Sequence, residues 1–384
     1  MKKIVYIATR EPTYSRVSIV HRGLLENCEV VAILSSRKHY VLRFLEVTVR
    51  FLWAKLWGNL KSVDAVFVGF FAQPIFPLIR FIWRGPLIAD AYFSLYDTMV
   101  NDKQKASHSS LIGKTCFWLD RFMLRHADLC FTDTDQHVEY LRHEFSQPTA
   151  NIKRLWISAE NDRLDERAIY DSVADQQFQV FFWGGFIPLQ GVETIVHAAG
   201  LLKSENAHFM IYGAGQTYEQ SLHLQQLIDA TNVHFAGWQS LSAIQAFARK
   251  AHLALGIFGT TEKAGRVIPN KVFEALAMGI PLITRQSPAL DELLRDGHDV
   301  LTVPPGEASQ LAEKILWARD HYVEAVAVAE RGWETFRRIA APSAVYQTLG
   351  DEFGKVATRT KSSAVHQRRT PDLAERQRNK PNKM

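Results

Sequence analysis

The sequence predicts an α/β protein built from two doubly wound, mostly parallel sheets that face each other across a cleft. Three observations carry that expectation. The chain has 384 residues, more than one ordinary domain needs. Short apolar runs alternate with longer amphipathic stretches, the pattern of parallel strands joined by crossover helices. The pattern is interrupted by a polar, charged segment from Asn161 to Gln177 and then restarts, so that segment reads as an interdomain linker.

In the first half, Ile4–Ala8, Glu29–Leu34, Ala65–Val68, Leu87–Ala89, Leu129–Thr132 and Lys153–Ile157 read as strands. In the second half, Gln179–Trp183, His208–Tyr212, Val233–Phe235, Leu253–Ile257, Pro281–Thr284 and Val300–Val303 do the same. Most are short apolar runs without alternation, as strands covered on both faces require. Thr194–Leu202 and Gln310–Arg338 are helical by periodicity, and Pro342–Phe353 reads as a crossover back to the first domain. The expected division is residues 1–165, residues 166–340, a crossover helix over 341–357 and a tail over 358–384.

That tail holds eight Lys/Arg and two Asp/Glu. The net charge of +5 is therefore carried by the tail, and the rest of the chain is near neutral. The tail is basic, polar and expected to be disordered. A near-neutral body gives no electrostatic footprint for nucleic acid. The three cysteines, Cys28, Cys116 and Cys130, lack metal-ligand spacing and fit a reducing compartment. The start, Met1 to Ala8, reads as a strand rather than a signal peptide, so a cytoplasmic location is expected. No apolar run reaches the roughly 20 residues needed to span a bilayer. The nearest, Ala65–Ile79, is broken by Gln73, Pro74 and Pro77 and reads as strand, turn and helix.

The segment Arg266-Val-Ile-Pro-Asn-Lys-Val-Phe-Glu-Ala-Leu-Ala-Met-Gly-Ile-Pro-Leu-Ile-Thr284 carries the most chemistry. Pro269 suits the first helical position. Lys271 and Glu274 lie three apart on one helical face. Gly279 ends the helix, and Pro281 prevents its continuation. A helix start bearing a lysine and a carboxylate can hold a diphosphate by its N–H groups, dipole and ammonium, and a ribose by its carboxylate. The alternative is a surface helix with a capped end.

Trp183-Gly-Gly-Phe-Ile-Pro-Leu-Gln-Gly-Val-Glu193 follows a strand, and Gly184 and Gly185 let backbone approach a ligand closely. An ordinary tight βα turn is the alternative. Tyr212-Gly-Ala-Gly-Gln216 places Gly213 and Gly215 after the next strand, without the third glycine of a dinucleotide fingerprint. Trp238 closes Phe235-Ala-Gly-Trp and either stacks on a nucleobase or packs in a core. The glycine-punctuated loop from Gly256, through Gly259, leads Lys263, Arg266 and Lys271 toward one helix start, where arginine suits bidentate phosphate binding. In the first half, Arg10 and Arg16 follow the first strand, while Asp90, Tyr92 and Asp97 follow the fourth. Both loops are expected at the cleft rim, where Asp90 and Asp97 either contact acceptor hydroxyls or act as a base, or else are carboxylates held in hydrogen bonds or helix caps. Asp133 or Thr134 caps the helix after the fifth strand. The stretch Arg37–Lys61 is aromatic and basic, with Arg43, Glu46, Arg50 and Lys61 on one narrow side of a helical wheel. It fits either a membrane interface with anionic lipid or a heavily buried core helix.

Taken together, Gly-Gly-Phe-Ile-Pro-Leu-Gln-Gly-Val-Glu, Gly-Ala-Gly, Phe-Ala-Gly-Trp, Pro-Asn-Lys-Val-Phe-Glu-Ala-Leu-Ala-Met-Gly-Ile-Pro and Asp-Ala-Tyr-Phe-Ser-Leu-Tyr-Asp-Thr resemble a bacterial GT-B glycosyltransferase of family 4. The resemblance is best from Phe181 to Pro305. It implies two Rossmann-like domains, an N-terminal one for the acceptor and a C-terminal one for a nucleotide sugar. It further implies retention of anomeric configuration, no obligatory cofactor or metal, and Glu274 on the ribose.

The expected donor contacts are Gly184, Gly185, Gln190, Gly213, Gly215, Trp238, Gly259, Lys263, Arg266, Ile268, Asn270, Lys271 and Glu274. Arg10, Arg16, Asp90, Tyr92 and Asp97 are expected at the acceptor, and Arg266, Lys271 and Asp97 at the chemical step. The donor is expected to be a UDP- or GDP-sugar. The acceptor is expected to be a lipid-linked cell-surface glycan of lipopolysaccharide or capsule synthesis, met at the inner face of the cell membrane. Two departures stand out. Arg266 occupies the place of the first of two glutamates eight apart, and Gln190-Gly191 replaces a Lys-Gly that supplies a diphosphate cation. A nucleotide-sugar epimerase of the same fold and a non-catalytic nucleotide-binding subunit therefore stay open, as does nucleic-acid binding by the tail.

Overall fold

A computed structural model of the chain describes residues 2–58, 60, 62–159 and 177–369, with side chains as far as residue 356. The first domain contains β1 (Lys3–Ile7), α1 (Ser15–Asn27), β2 (Glu29–Ile33), α2 (Tyr40–Leu56), β3 (Ala65–Val68), α3 (Phe76–Ile82), β4 (Leu87–Asp90), a π-helix (Asp97–Asp102), α4 (Leu111–His126), β5 (Leu129–Thr132), α5 (Asp135–Glu144) and β6 (Ile152–Arg154). The second contains β7 (Phe178–Trp183), α6 (Val192–Leu201), β8 (Ala207–Tyr212), α7 (Tyr218–Leu227), β9 (Val233–Phe235), α8 (Leu241–Ala248), β10 (Leu253–Leu255), α9 (Glu262–Arg266), α10 (Asn270–Met278), β11 (Leu282–Arg285), α11 (Pro288–Asp291), β12 (Leu301–Val303), α12 (Ala308–Asp320) and α13 (Tyr322–Ile339). The last helix is α14 (Pro342–Arg369).

Each predicted run overlaps a strand, and the strands form two six-stranded sheets ordered β2-β1-β3-β4-β5-β6 and β12-β11-β10-β7-β8-β9. Every pairing is parallel. Strand order reverses beside β1 and beside β7, so each sheet opens a crevice at the C-terminal ends of those strands. Continuous apolar strands such as β3, β5 and β10 are fully buried because helices cover both faces. The helix α14 returns to the first domain. Asn27 Nδ2 donates to the Tyr346 carbonyl at 2.9 Å, and Phe353 sets its ring edge against Phe67 and Phe131.

Several local expectations change. The stretch Gln310–Arg338 is two helices, broken at His321, whose φ of −119° and ψ of 46° lie outside the helical region. Pro269 is extended, with ψ of 154°, so α10 starts one residue later at Asn270. The first twelve residues of 358–384 continue α14, while 370–384 and the linker over 161–176 lie outside the described residues. Arg43 does not share a solvent face with Glu46 and Arg50. It is buried, donating to the Thr9 carbonyl and to Glu11 at 2.8 Å, and Lys61 lies outside the described residues.

Arg16 and Asp90 are likewise inside the first domain, each 1% exposed. Arg16 Nε and Nη2 donate to the Asp90 carboxylate at 3.0 and 2.9 Å, and Nη1 donates to the Leu155 carbonyl at 2.8 Å. The fork joins α1, the end of β4 and the chain after β6. Asp90→Ala leaves a guanidinium buried without its counter-charge and is expected to cost about 3–5 kcal/mol. A denaturant midpoint for the first domain equal to wild type would contradict this.

Candidate functional site

The two crevices meet in one cleft, a cavity of about 570 Å³. Its floor on the second domain is the turn after β7 and the start of α10. Trp183, Gly184, Gly185, Gln190, Ile268, Pro269, Asn270, Lys271 and Glu274 line it there. No side chain caps α10, and its first residues, Asn270 and Lys271, line the cavity, which puts the positive end of the helix dipole at its edge.

Lys271 is 5% exposed. Its Nζ donates to Gln190 Oε1 at 2.5 Å and lies 3.3 Å from the centre of the Phe182 ring. Burial holds its pKa well below the usual lysine range, against a smaller opposing effect of Glu274. Gly184 explains how the ammonium fits, since a Cβ there would sit 2.8 Å from Nζ. One turn on, Glu274 Oε2 accepts from Trp183 Nε1 at 2.5 Å. Burial raises the pKa of Glu274, while the Trp183 hydrogen bond and the Lys271 charge oppose it. An incompletely compensated cation and an incompletely compensated carboxylate thus stand one turn apart. Anionic oxygens would satisfy the first and vicinal hydroxyls the second.

The first domain contributes Arg10, Tyr14, Phe70, Phe71, Tyr92, Phe93, Thr98, Asp102, Lys103 and Asp133 to the opposite wall. Asn270 ties the walls together, accepting from Tyr92 Oη at 3.0 Å and donating to Tyr14 Oη at 3.4 Å. Further along, Arg266 Nη2 donates to Asp97 Oδ1 at 2.8 Å, and Lys263 Nζ donates to Thr98 Oγ1 at 2.6 Å. The Arg266 guanidinium also lies 4.1 Å over the Tyr140 ring. Glu292 accepts from the N–H groups of Asp135 and Gln136 at 2.7 Å each, which caps α5 from the other domain.

Of the expected donor residues, Gly184, Gly185, Gln190, Trp238, Lys263, Ile268, Asn270, Lys271 and Glu274 line the cavity. Trp238 is 69% exposed, which leaves its ring available to a ligand and excludes a core role. Gly213, Gly215 and Gly259 do not line it. They are glycines because backbones pack against them: a Cβ on Gly213 would fall 1.8 Å from the Gly184 carbonyl oxygen, with similar clashes at the other two. Arg266 and Asp97 engage each other across the cleft instead of facing the cavity. Of the expected acceptor residues, Arg10 and Tyr92 line it, and Arg16 and Asp90 are sealed below.

Sequence reasoning missed the roles of Trp183, the aromatic wall and Asp102. Trp183 stands beside the glycine pair, but only the fold places Glu274 against its indole. Asp102 ends the π-helix, a local geometry without a sequence signal. It is 3% exposed, its Oδ1 has no hydrogen-bond partner, and burial raises its pKa while Lys263 opposes the shift. Thr134 is the cap of α5, accepting from the His137 N–H at 3.0 Å. Among the described residues no cluster suited to a metal ion occurs.

Residues 177–321 match the family described as Glycosyl transferases group 1. An uncharacterised glycosyltransferase of Methanocaldococcus jannaschii is 24% identical over 196 residues, 51% of this chain and 52% of that protein. The lipopolysaccharide core biosynthesis glycosyltransferase LpsE of Rhizobium meliloti is 27% identical over 198 residues, 49% of this chain and 54% of that protein. The chain thus spans about half the length of the curated relatives it matches. Sucrose-phosphate synthase of Thermosynechococcus elongatus superimposes with a TM-score of 0.73 at 13% identity, covering 94% of this chain and 100% of its own. Anabaena HepE, in complex with UDP and glucose, gives 0.68 at 15%, covering 92% and 100%. The chain therefore has the GT-B fold, and its second domain is similar to group 1 glycosyl transferases.

Proposed function

We propose that this protein is a retaining, bacterial family 4 glycosyltransferase that moves a sugar from a UDP- or GDP-sugar to a lipid-linked cell-surface glycan. The observation that carries the reading is the uncapped start of α10, with Lys271 and Glu274 one turn apart on the cleft floor. Lys271 and the helix N–H groups bind the diphosphate and stabilise the charge that develops on it as the glycosidic bond breaks. Glu274 accepts the ribose hydroxyls, and Trp238 stacks on the base. Arg10, Tyr92 and the Phe70–Phe71–Phe93 wall meet the acceptor. Asp97 and Arg266 hold the first-domain loop against the donor domain. Closure of the cleft excludes water and so favours transfer over hydrolysis. The reaction needs no metal or other cofactor, and it takes place at the cytoplasmic face of the membrane.

HepE supports a UDP donor, since it is seen with UDP and glucose. LpsE supports an acceptor from lipopolysaccharide core synthesis, as does the galactosyltransferase WaaB of the outer core, which shares the fold with a TM-score of 0.58. The rival of a nucleotide-binding subunit without turnover draws on Gln190 and Arg266, which replace two charged groups of the resembled family.

Thermal unfolding against UDP-, GDP-, ADP- and TDP-sugars tests donor binding. One nucleotide is expected to stabilise the protein by about 2.7 kcal/mol at a hundredfold excess over Kd, and Glu274→Ala is expected to lose most of that response. A full response in Glu274→Ala would overturn the placement of the ribose. Transfer to a glycan acceptor separates the transferase from both the epimerase and the silent subunit.

A further inference from the structure

We infer that the outer face of α2, α3 and α4 is a docking surface for an anionic lipid bilayer. These helices cover the same side of the first sheet, packing inward through Val47, Phe51, Phe76, Ile79, Met123 and Leu124. Their outward side is not polar, as a solvated face would be. On α2 and the residue after it, Val41, Leu42, Leu45, Val49, Trp53, Leu56 and Trp57 are between 49% and 75% exposed. Phe81 on α3 is 75% exposed, and Leu111, Ile112 and Trp118 on α4 are 52% or more. Trp53 and Trp57 stack on each other in solvent, ring centres 4.1 Å apart.

Charge names the occupant. Lys38, Arg50, Lys55, Arg84, Lys114 and Arg121 are all exposed around this face. The acidic residues of the three helices are Glu46 and Asp120. Glu46 is held by Arg37 and Arg50 at 3.3 and 3.8 Å, and Asp120 is buried under Ser94 and the Tyr96 N–H. An apolar, tryptophan-bearing face ringed by cations matches the interface of an anionic leaflet, where indoles sit at headgroup depth and lysines reach the phosphates. No helix among the described residues is long and apolar enough to cross a membrane, so this contact lies in the plane of the surface.

The face also connects to the cleft. At the start of α2, Tyr40 packs edge-on to Phe71 at 4.7 Å, and Phe71 stacks on Phe93 at 4.9 Å. Phe71 and Phe93 line the cavity. Docking through α2 therefore brings an aromatic track from the bilayer to the first-domain wall, a path suited to an amphiphile whose tail stays in the membrane.

The test is co-sedimentation of the full chain with phosphatidylglycerol or phosphatidylcholine vesicles, beside a Trp53→Ser, Trp57→Ser, Phe81→Ser variant. The wild type is expected on phosphatidylglycerol, with binding that weakens in salt and is much lower on phosphatidylcholine. The variant is expected to lose about tenfold or more in partitioning while keeping its melting curve and nucleotide response. Vesicle binding needs neither donor nor acceptor, so its failure is distinguishable from a failure of the transferase reading. Undiminished binding by the variant would overturn the inference and place the contact elsewhere, the basic tail included. Absence of binding would overturn it too. A wild-type dimer that becomes monomeric in the variant, without vesicle binding, would identify the face as a contact between copies.

Discussion

Lys271→Met is expected to raise the melting temperature of the ligand-free protein and to abolish its response to nucleoside diphosphates. In the free cleft the ammonium is buried against Phe182 and Gln190, with Glu274 as a partial counter-charge. A depressed pKa means that the fold disfavours this charge even with Glu274 nearby, so an apolar side chain of similar length removes that cost. The same change removes the charge on which the diphosphate depends, so stability and binding move in opposite directions. That opposition separates a functional lysine from a structural one, whose loss would lower both or neither.

The pH dependence follows from the same depression. The folded-state pKa of Lys271 lies well below its unfolded value. Between those two values the unfolded chain holds the extra proton, so wild-type stability rises with pH through that window. The advantage of Lys271→Met is therefore largest below the folded pKa and shrinks as pH increases. A bound diphosphate raises the Lys271 pKa, so within that window donor binding takes up protons, and calorimetry in buffers of different ionisation enthalpy measures the uptake. Equal donor affinity in wild type and Lys271→Met would remove Lys271 from the diphosphate.

Most of the twelve strands were legible because they are short apolar runs buried on both faces, as β3, β5 and β10 are, while β2, β6, β8 and β9 are partly exposed and were marked by their place between helical stretches. The start of α10 was legible because proline, lysine, glutamate and the closing glycine each have a separate local reason for their place. What sequence spacing could not convey is which side of a loop faces the ligand. Gly213 and Gly259 have the composition of a phosphate turn, yet they are small because neighbouring backbone occupies the space a side chain would need. Arg16, in the first turn of α1, and Asp90, the last residue of β4, both follow from strand ends that read as cleft rim, yet they find each other 74 residues apart and turn inward. Long-range pairing of that kind leaves no local trace. The exposure of α2 was similarly undecided: its apolar positions nearly encircle the helix, and only the burial of Arg43 against the Thr9 carbonyl, together with Val47 and Phe51, shows which ones face out.

Arg266→Glu is expected to reduce turnover by about a hundredfold or more while changing nucleotide affinity only a few-fold. The guanidinium does not line the cavity. It meets Asp97, which is 1% exposed and also receives Asn101 Nδ2 at 3.1 Å. Glutamate in its place sets two carboxylates against each other across the interdomain contact, with Lys263, 3.7 Å from Asp97, as the nearest remaining cation. Like charges at that range cost several kcal/mol and push the domains apart, so the donor domain still binds nucleotide but the acceptor wall is displaced. A double-mutant cycle of Asp97→Asn and Arg266→Gln on turnover is expected to give a coupling of about 2 kcal/mol, since the pair acts as one unit. The charge swap Asp97→Arg, Arg266→Glu is expected to recover part of the loss. If nucleotide affinity instead falls as steeply as turnover in Arg266→Gln, while Asp97→Asn leaves it intact, the guanidinium must leave Asp97 in the loaded enzyme and bind the diphosphate itself. That outcome would make the Asp97 pair the resting state of a donor-binding arginine.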